Sequence, residues 1–278
     1  MNKNTLVKKS NKLVTARFEL SLIEQELVLT LISMINREDK DFKEYRFYVK
    51  DFFKLTDNSE ENHTYIKNSF RSLLSKTLEI KTENGGWLMS NWLSSAESNK
   101  GGYVDVCFDP KLKPYLLNLK ACFTTYQLKN ILFLHSAYSI RVYELLKQFE
   151  KTKTKTTSID ELRDILKIPQ SYTNGNINQR ILKPAKKELA ELTDISFTYE
   201  FLRRGNKFID IKFKIKRNSK MPKLLQSSQI EANKVPTLQK VANSCREKGK
   251  CRETPIMMSY CETCENYDEK AKWIKENG

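Results

Sequence analysis

Two sets of residues in this chain have types and spacings suited to chemistry. The first is Asn178, Gln179, Arg180, Lys183, Lys186 and Lys187, followed by Arg203, Arg204 and Lys207 around Gly205-Asn206. Asn and Gln side chains can pair bidentately with adenine, and Arg and Lys with guanine. On a helix starting near Ile177, the leading polar residues are therefore equipped for base edges, and the later lysines for phosphates, which position without specifying. A hairpin tip carrying three cations suits a minor groove or its flanking phosphates. Both features also occur as ordinary solvated surface. The second set is Cys245, Cys251, Cys261 and Cys264, spaced C-x5-C-x9-C-x2-C. Four thiols suit a structural zinc ion, although the first gap is longer than usual, and free thiols or a disulfide remain alternatives.

Catalytic arrangements are missing. The two histidines, His63 and His135, lie 72 residues apart, and no glycine-rich loop ends in Gly-Lys-Ser/Thr. Asp39 and Asp41 fall in a polar turn and read as solvation. The expectation is a protein that is not an enzyme and needs no cofactor to bind DNA.

Charge is concentrated where the first set lies. Residues 1–118 carry 18 basic and 16 acidic side chains, and residues 119–220 carry 21 and 10, which is most of the total of +15. Such a segment favours a polyanion surface. A genome biased toward Lys and Asn codons is the competing explanation. With 39% hydrophobic residues, 14 Phe and 12 Tyr, the chain can form two domains with their own cores. It has no apolar run long enough to cross a membrane and no signal-peptide core, so a cytoplasmic location with reduced cysteines is expected. Cys107 and Cys122 read as small core residues.

These side chains need elements to hold them. Residues 1–14 read as a flexible arm. An amphipathic helix is expected over residues 15–34, with Ser21 and Glu24 forming a capping box. A strand follows at residues 45–49, a helix from Lys50-Asp51, and a second helix over residues 65–78 carrying Lys67, Asn68, Arg71 and Lys76. Next come a turn at Asn84-Gly85-Gly86, a strand over residues 87–92, a Ser/Asn/Gly loop over 94–102 and an alternating strand over 103–108.

The second half repeats this plan. A long helical region over residues 128–149 breaks near His135-Ser136, and residues 151–157 form a polar connection. One helix carries Ile159, Leu162, Ile165, Leu166 and Ile168 and stops at Pro169. The next helix, over residues 177–192, buries Ile177, Ile181, Leu182, Ala185, Leu189 and Leu192. Pro184 sits awkwardly inside it, implying a late start or a kink. Strands at residues 195–199 and 208–215 complete the unit, with Lys212, Lys214 and Lys216 facing water or phosphate. The expected fold class is α+β, with two tandem winged-helix (helix-turn-helix) domains in a pseudo-repeat over residues 15–124 and 125–220, plus a variable tail over 221–278. A single mixed α+β domain is the alternative.

Three segments carry a family resemblance: NKLVTARFELSLIEQELVLTLISMI, YQLKNILFLHSAYSIRVYELLKQF, and INQRILKPAKKELAE with ISFTYEFLRRGNKFIDIKFKI. Together, over about residues 8–217, they resemble the iteron-plasmid replication initiators (Rep_3; RepB/RepE-like). The resemblance implies a replication initiator whose monomers bind direct repeats (iterons) at a plasmid origin. Those monomers open an adjacent AT-rich region with the host replication initiator and helicase machinery. It further implies dimers that bind an operator inverted repeat, repress the initiator's own gene and so bear on plasmid copy control. The second domain would dominate recognition, through Asn178, Gln179, Arg180, Lys183, Lys186, Lys187, Arg203, Arg204 and Lys207. The first would contact DNA and dimerise, with Lys67, Asn68 and Arg71 as its contacts. Ser136, Tyr138, Ser139, Arg141 and Tyr143 match a run of the family, and Arg141 reads either as a phosphate contact or as a partner of Glu144 or Asp160. Rolling-circle initiators, which nick DNA, need paired metal-binding histidines that this chain lacks. A winged-helix transcriptional regulator without initiator activity is the alternative function.

Overall fold

Ser21 Oγ accepts the Glu24 amide at 3.4 Å, and the Glu24 carboxylate accepts the Ser21 amide at 2.7 Å, so the expected capping box opens helix α2 (Leu22–Ser33). The computed structural model describes residues 2–36, 38–56, 62–99, 102–205 and 207–218, and all of them fall in one compact unit. Helix α2 is buried on every side from Glu24 to Ile32, so it is a central helix rather than the amphipathic one expected, and it starts at its cap rather than at residue 15. None of the described helices is long and apolar enough to cross a membrane.

The first half continues with β2 (Tyr45–Tyr48), α3 (Val49–Leu55) and α4 (His63–Ser75), and closes with β5 (Leu93–Asn99) and β6 (Tyr103–Phe108). These strands form an antiparallel sheet in the order β2-β6-β5. Here the structure corrects the sequence reading. Strand β5 occupies the stretch expected to be a loop, because β6 satisfies its backbone groups along the register Ser95↔Cys107 to Asn99↔Tyr103. The strand expected over 87–92 is β4 (Trp87–Asn91), and it pairs only with β3 (Thr77–Lys81) in a separate hairpin inserted after α4. Arg17 and Glu79 exchange backbone bonds at 2.9 Å on the far edge of that hairpin.

The second half has α7 (Ala137–Lys147), β8 (Thr154–Ser158), α8 (Ile159–Leu166), a three-part helix, β9 (Ile195–Arg204) and β10 (Lys207–Arg217). Its sheet order, β8-β10-β9, matches that of the first half: the first strand of each unit pairs with the last. Helix, strand, helix, helix and hairpin thus occur twice with one topology, and among the described residues the inserted β3–β4 hairpin and the three-part form of the second unit's last helix distinguish them. The expected polar connection over 151–157 is in fact β8 from Thr154 onward. Four of its five residues are Thr or Ser, and it is held by β10 in the register Thr154↔Lys214 to Ser158↔Asp210.

The expected arm is a structural element. Strand β1 (Leu6–Ser10) pairs antiparallel with β7 (Phe123–Gln127), and helix α1 (Asn11–Val14) buries Leu13 and Val14. Short helices α5 (Lys113–Leu116) and α6 (Lys129–Leu132) flank β7. From β1, Lys9 reaches Glu144 on α7 at 2.6 Å, both side chains being 1% exposed, and Tyr126 of β7 donates to the same carboxylate. Burial pushes the Lys9 ammonium down and the Tyr126 phenol up. The two halves therefore share one core and a buried ionic junction.

Candidate nucleic-acid interface

The helix bearing the basic run is assembled in three parts. Thr173 Oγ1 accepts the Asn176 amide at 3.2 Å and opens α9 (Asn174–Ile177). A π-helical segment, Asn178–Leu182, follows, and α10 (Lys183–Leu192) has Pro184 in its first turn. The wide π turn answers the difficulty Pro184 raises: a proline here lacks an amide hydrogen and would collide with the Arg180 carbonyl of a regular helix. Ile177, Ile181, Leu182, Ala185, Leu189 and Leu192 are buried, as their spacing implies. Gln179, Arg180, Lys183, Lys186 and Lys187 are exposed together on the opposite side.

Neighbouring elements set these side chains. Arg163 on α8 donates to the carbonyls of Pro169 (3.2 Å) and Tyr172, which pins the turn before α9. Tyr172 then holds Arg180, whose guanidinium lies 5.2 Å from its ring centroid and 3.5 Å from its hydroxyl. Lys183 donates to Gln179 at 3.1 Å. Asn178 departs from the expected role. It is half-buried, and its carboxamide oxygen accepts the Tyr199 hydroxyl at 2.6 Å, so one of that oxygen's two lone pairs is taken and the amide is oriented by β9. The cap at Thr173 adds Asn174 and Asn176 to the leading turn, a pair missed by starting the helix at Ile177.

Arg203, Arg204 and Lys207 are exposed at the end of the β9–β10 hairpin. Lys207 faces Arg204 in register, Gly205 turns with φ +59°, and the Arg203 guanidinium lies 4.3 Å from the Phe208 ring centroid. This contact stiffens Arg203 while leaving nitrogens on its edge for phosphate. In the first half, Lys67, Asn68 and Arg71 are exposed on α4, and Arg71 donates to Asn68 at 3.2 Å. Lys67 and Arg71 line an open groove of about 740 Å³ between α4 and the β5–β6 strands. Lys76 belongs elsewhere: it pairs with Glu24 at 2.6 Å.

Arg141 is not part of this surface. It is 3% exposed, and it donates to the carbonyls of Val14 (3.0 Å), Ala16 (2.8 Å) and Ile165 (3.1 Å). Its guanidinium lies 3.8 Å from the Phe18 ring centroid and 3.7 Å from Glu144, and burial lowers its pKa to about 10. The phosphate reading fails because the chain's own carbonyls consume the guanidinium. Among the described residues no group of three or more His, Cys, Asp or Glu side chains could hold a metal ion. Cys245, Cys251, Cys261 and Cys264 lie outside the described residues.

Residues 6–147 match the family model "Initiator Replication protein, WH1", and residues 158–215 match "Initiator Rep protein, WH2". The chain is similar to a "Replication initiation protein" of Escherichia coli, with 26% identity over 84% of this chain and 77% of that one. It is also 26% identical to an "Uncharacterized 27.6 kDa protein" of Escherichia coli over 72% of this chain and 90% of that one. A crystal structure of domains 2 and 3 of RctB covers 79% of this chain and 93% of that chain, at 11% identity and a TM-score of 0.43.

Proposed function

Since this chain belongs to the Initiator Replication protein family, whose winged-helix members are non-catalytic DNA-binding replication initiators, we propose that it binds direct repeats in duplex DNA at a plasmid origin. The observation that carries this reading is the exposure, in one unit, of Gln179, Arg180, Lys183, Lys186 and Lys187 on the helix and of Arg203, Arg204 and Lys207 at the hairpin tip. The helix would enter the major groove, with Gln179 and Arg180 on base edges and the later lysines on phosphates, while the tip grips the adjacent backbone. Lys67, Asn68 and Arg71 would supply weaker contacts from the first unit. A gel-shift titration on repeats upstream of the chain's own gene, against scrambled DNA, tests it, and equal affinity for both would sink the reading. Preference for an inverted repeat alone would favour a transcriptional regulator built on the same fold.

Two finer assignments accompany this one. A dimer would repress the chain's own gene at an inverted repeat, and a monomer would initiate with the host initiator and helicase. Sedimentation with direct-repeat DNA tests this, a dimer persisting on a single repeat counting against it. The four tail cysteines would bind one zinc ion and lend the tail folding energy. Metal analysis of the chain and of Cys261→Ser/Cys264→Ser decides that point, and equal metal contents would refute it.

A further inference from the structure

The outward face of the second sheet carries a feature that the recognition helix and hairpin tip do not use. Ile211, Phe213 and Ile215 of β10 turn into the core, so Lys212, Lys214 and Lys216 project from the opposite face. Across the register stand Thr156 and Glu200 beside Lys212, Thr154 and Thr198 beside Lys214, and Ser196 beside Lys216. Lysine on exposed strands commonly blunts a sheet edge, but at Lys212 and Lys214 β10 is flanked on both sides, by β8 and by β9, so edge protection does not account for these two. Among the described residues of the first sheet, Arg46 of β2 is held by both oxygens of Asp105 on the central strand β6, at 2.9 Å each.

The row is partly offset. Glu200 lies 4.0 Å from Lys212 and 3.9 Å from Lys214, and Glu150 pairs with Lys147 at 2.8 Å and Arg217 at 3.7 Å. Lys216, Lys151 and Lys153 have no ion-pair partner among the described residues and converge, with Arg217 and Glu150, on a recess of about 510 Å³. That recess is fixed by its backbone: Lys153, at φ +61°, donates to Phe149 and accepts from Ile215, both at 2.8 Å. Alternate strand residues stand about 6.8 Å apart, comparable to successive phosphates along one strand of DNA.

We propose that this face binds the backbone of a second duplex DNA segment, without regard to sequence, while the recognition helix holds the first. The inference rests on the DNA-binding reading above. Duplex fits better than single strand because the β10 row and its cross-strand neighbours offer ammonium and hydroxyl donors but no aromatic ring on which an unpaired base would stack. The first duplex cannot cover it, since the row points away from the helices packed on the sheet's inner face.

The test uses the full chain, saturated on an immobilised duplex from its own upstream region and then offered a labelled duplex of unrelated sequence. Wild-type protein should capture the second duplex in a salt-dependent manner. Lys214→Gln/Lys216→Gln should weaken capture about fivefold or more and flatten its salt dependence by about 1.8 in log–log slope, leaving the first duplex bound as before. Lys187→Ala/Arg204→Ala should do the reverse, weakening the first duplex while capture of the second, per molecule of protein held on the first, stays as in wild type. Undiminished capture by the sheet variant overturns the proposal, as does stronger competition by single strands than by duplex. If the chain fails to prefer its own repeats, the repeat-binding reading falls, yet the sheet variant still reports on unrelated duplex alone.

Discussion

Gln179 and Arg180 differ from Lys187 in what they can tell DNA apart by. The first two stand at the leading part of the recognition helix with amide and guanidinium groups that match base edges, whereas an ammonium at Lys187 sees charge. Gln179→Ala or Arg180→Ala should therefore cost about 1–3 kcal/mol on the cognate repeat and relax discrimination at one base pair. Lys187→Ala should weaken all duplexes alike and reduce the salt slope by about 0.9. Titration on single-base variants of the repeat separates the two behaviours, and a uniform loss from Gln179→Ala and Arg180→Ala would move both to the phosphate class. Glu26 on α2 poses a different problem: it is buried, and desolvation pushes its carboxyl to about 8 from an ordinary 4.5. A carboxyl that holds its proton more tightly when folded contributes full stability below pH 4.5 and loses it as pH rises toward 8. Glu26→Gln removes that loss, so thermal melts should find it within about 1 kcal/mol of wild type at pH 5 and about 4 kcal/mol more stable at pH 8.5. Equal melting at both pH values would show the carboxyl to be solvated.

The hairpin tip acts as an element because one backbone conformation sets three cations. Gly205 sits in the left-handed region at φ +59°, with nothing within 4 Å of the position a Cβ would occupy, so strain rather than space decides what it tolerates. Asn accepts this conformation at little cost, whereas a β-branched residue is strained there by about 1–2 kcal/mol. Gly205→Asn should retain DNA affinity within about twofold, and Gly205→Val should lose about fivefold by splaying Arg203, Arg204 and Lys207. Equal affinities would mean that the tip binds by charge alone. The recognition helix is also shaped at this scale, as its π segment places Pro184 in the first turn of α10 and turns Arg180 toward Tyr172. Pro184 marked the irregularity in the sequence, but its form depended on how the chain on either side had to pack.

At the scale of the molecule, the Arg141, Glu144, Lys9 and Tyr126 cluster joins the N-terminal segment, β7 and both winged-helix units. Arg17 adds a second tie, pairing with Glu79 at 3.1 Å and with Asp164 of the second unit. Removing one member of a buried, hydrogen-bonded ion network leaves the others uncompensated, which typically costs about 3–5 kcal/mol. Arg141→Ala should lose that much in urea unfolding, and Arg141→Lys should recover little, because one ammonium cannot reproduce a fork bonded to three carbonyls. Unchanged stability with weakened DNA binding would return Arg141 to the interface.

Side-chain periodicity alone determined much of this protein. The capping box at Ser21 and Glu24, the buried and exposed faces of the recognition helix, the inward Ile211, Phe213 and Ile215, and the basic second half were all legible, because each depends on residues near one another in sequence. Tertiary structure decided the rest. Serine-rich β5 and threonine-rich β8 have little apolar alternation, and each became a strand because a neighbouring strand satisfied its backbone. The apparent arm became β1 through a partner more than 100 residues away, as in Leu6↔Gln127. Arg141 and Asn178 have the side chains of a DNA contact, yet carbonyls 125 and 127 residues distant and a tyrosine 21 residues on claimed them. Charge type is written in the sequence, but whether a charge or amide is free for a partner depends on which distant groups the fold brings against it.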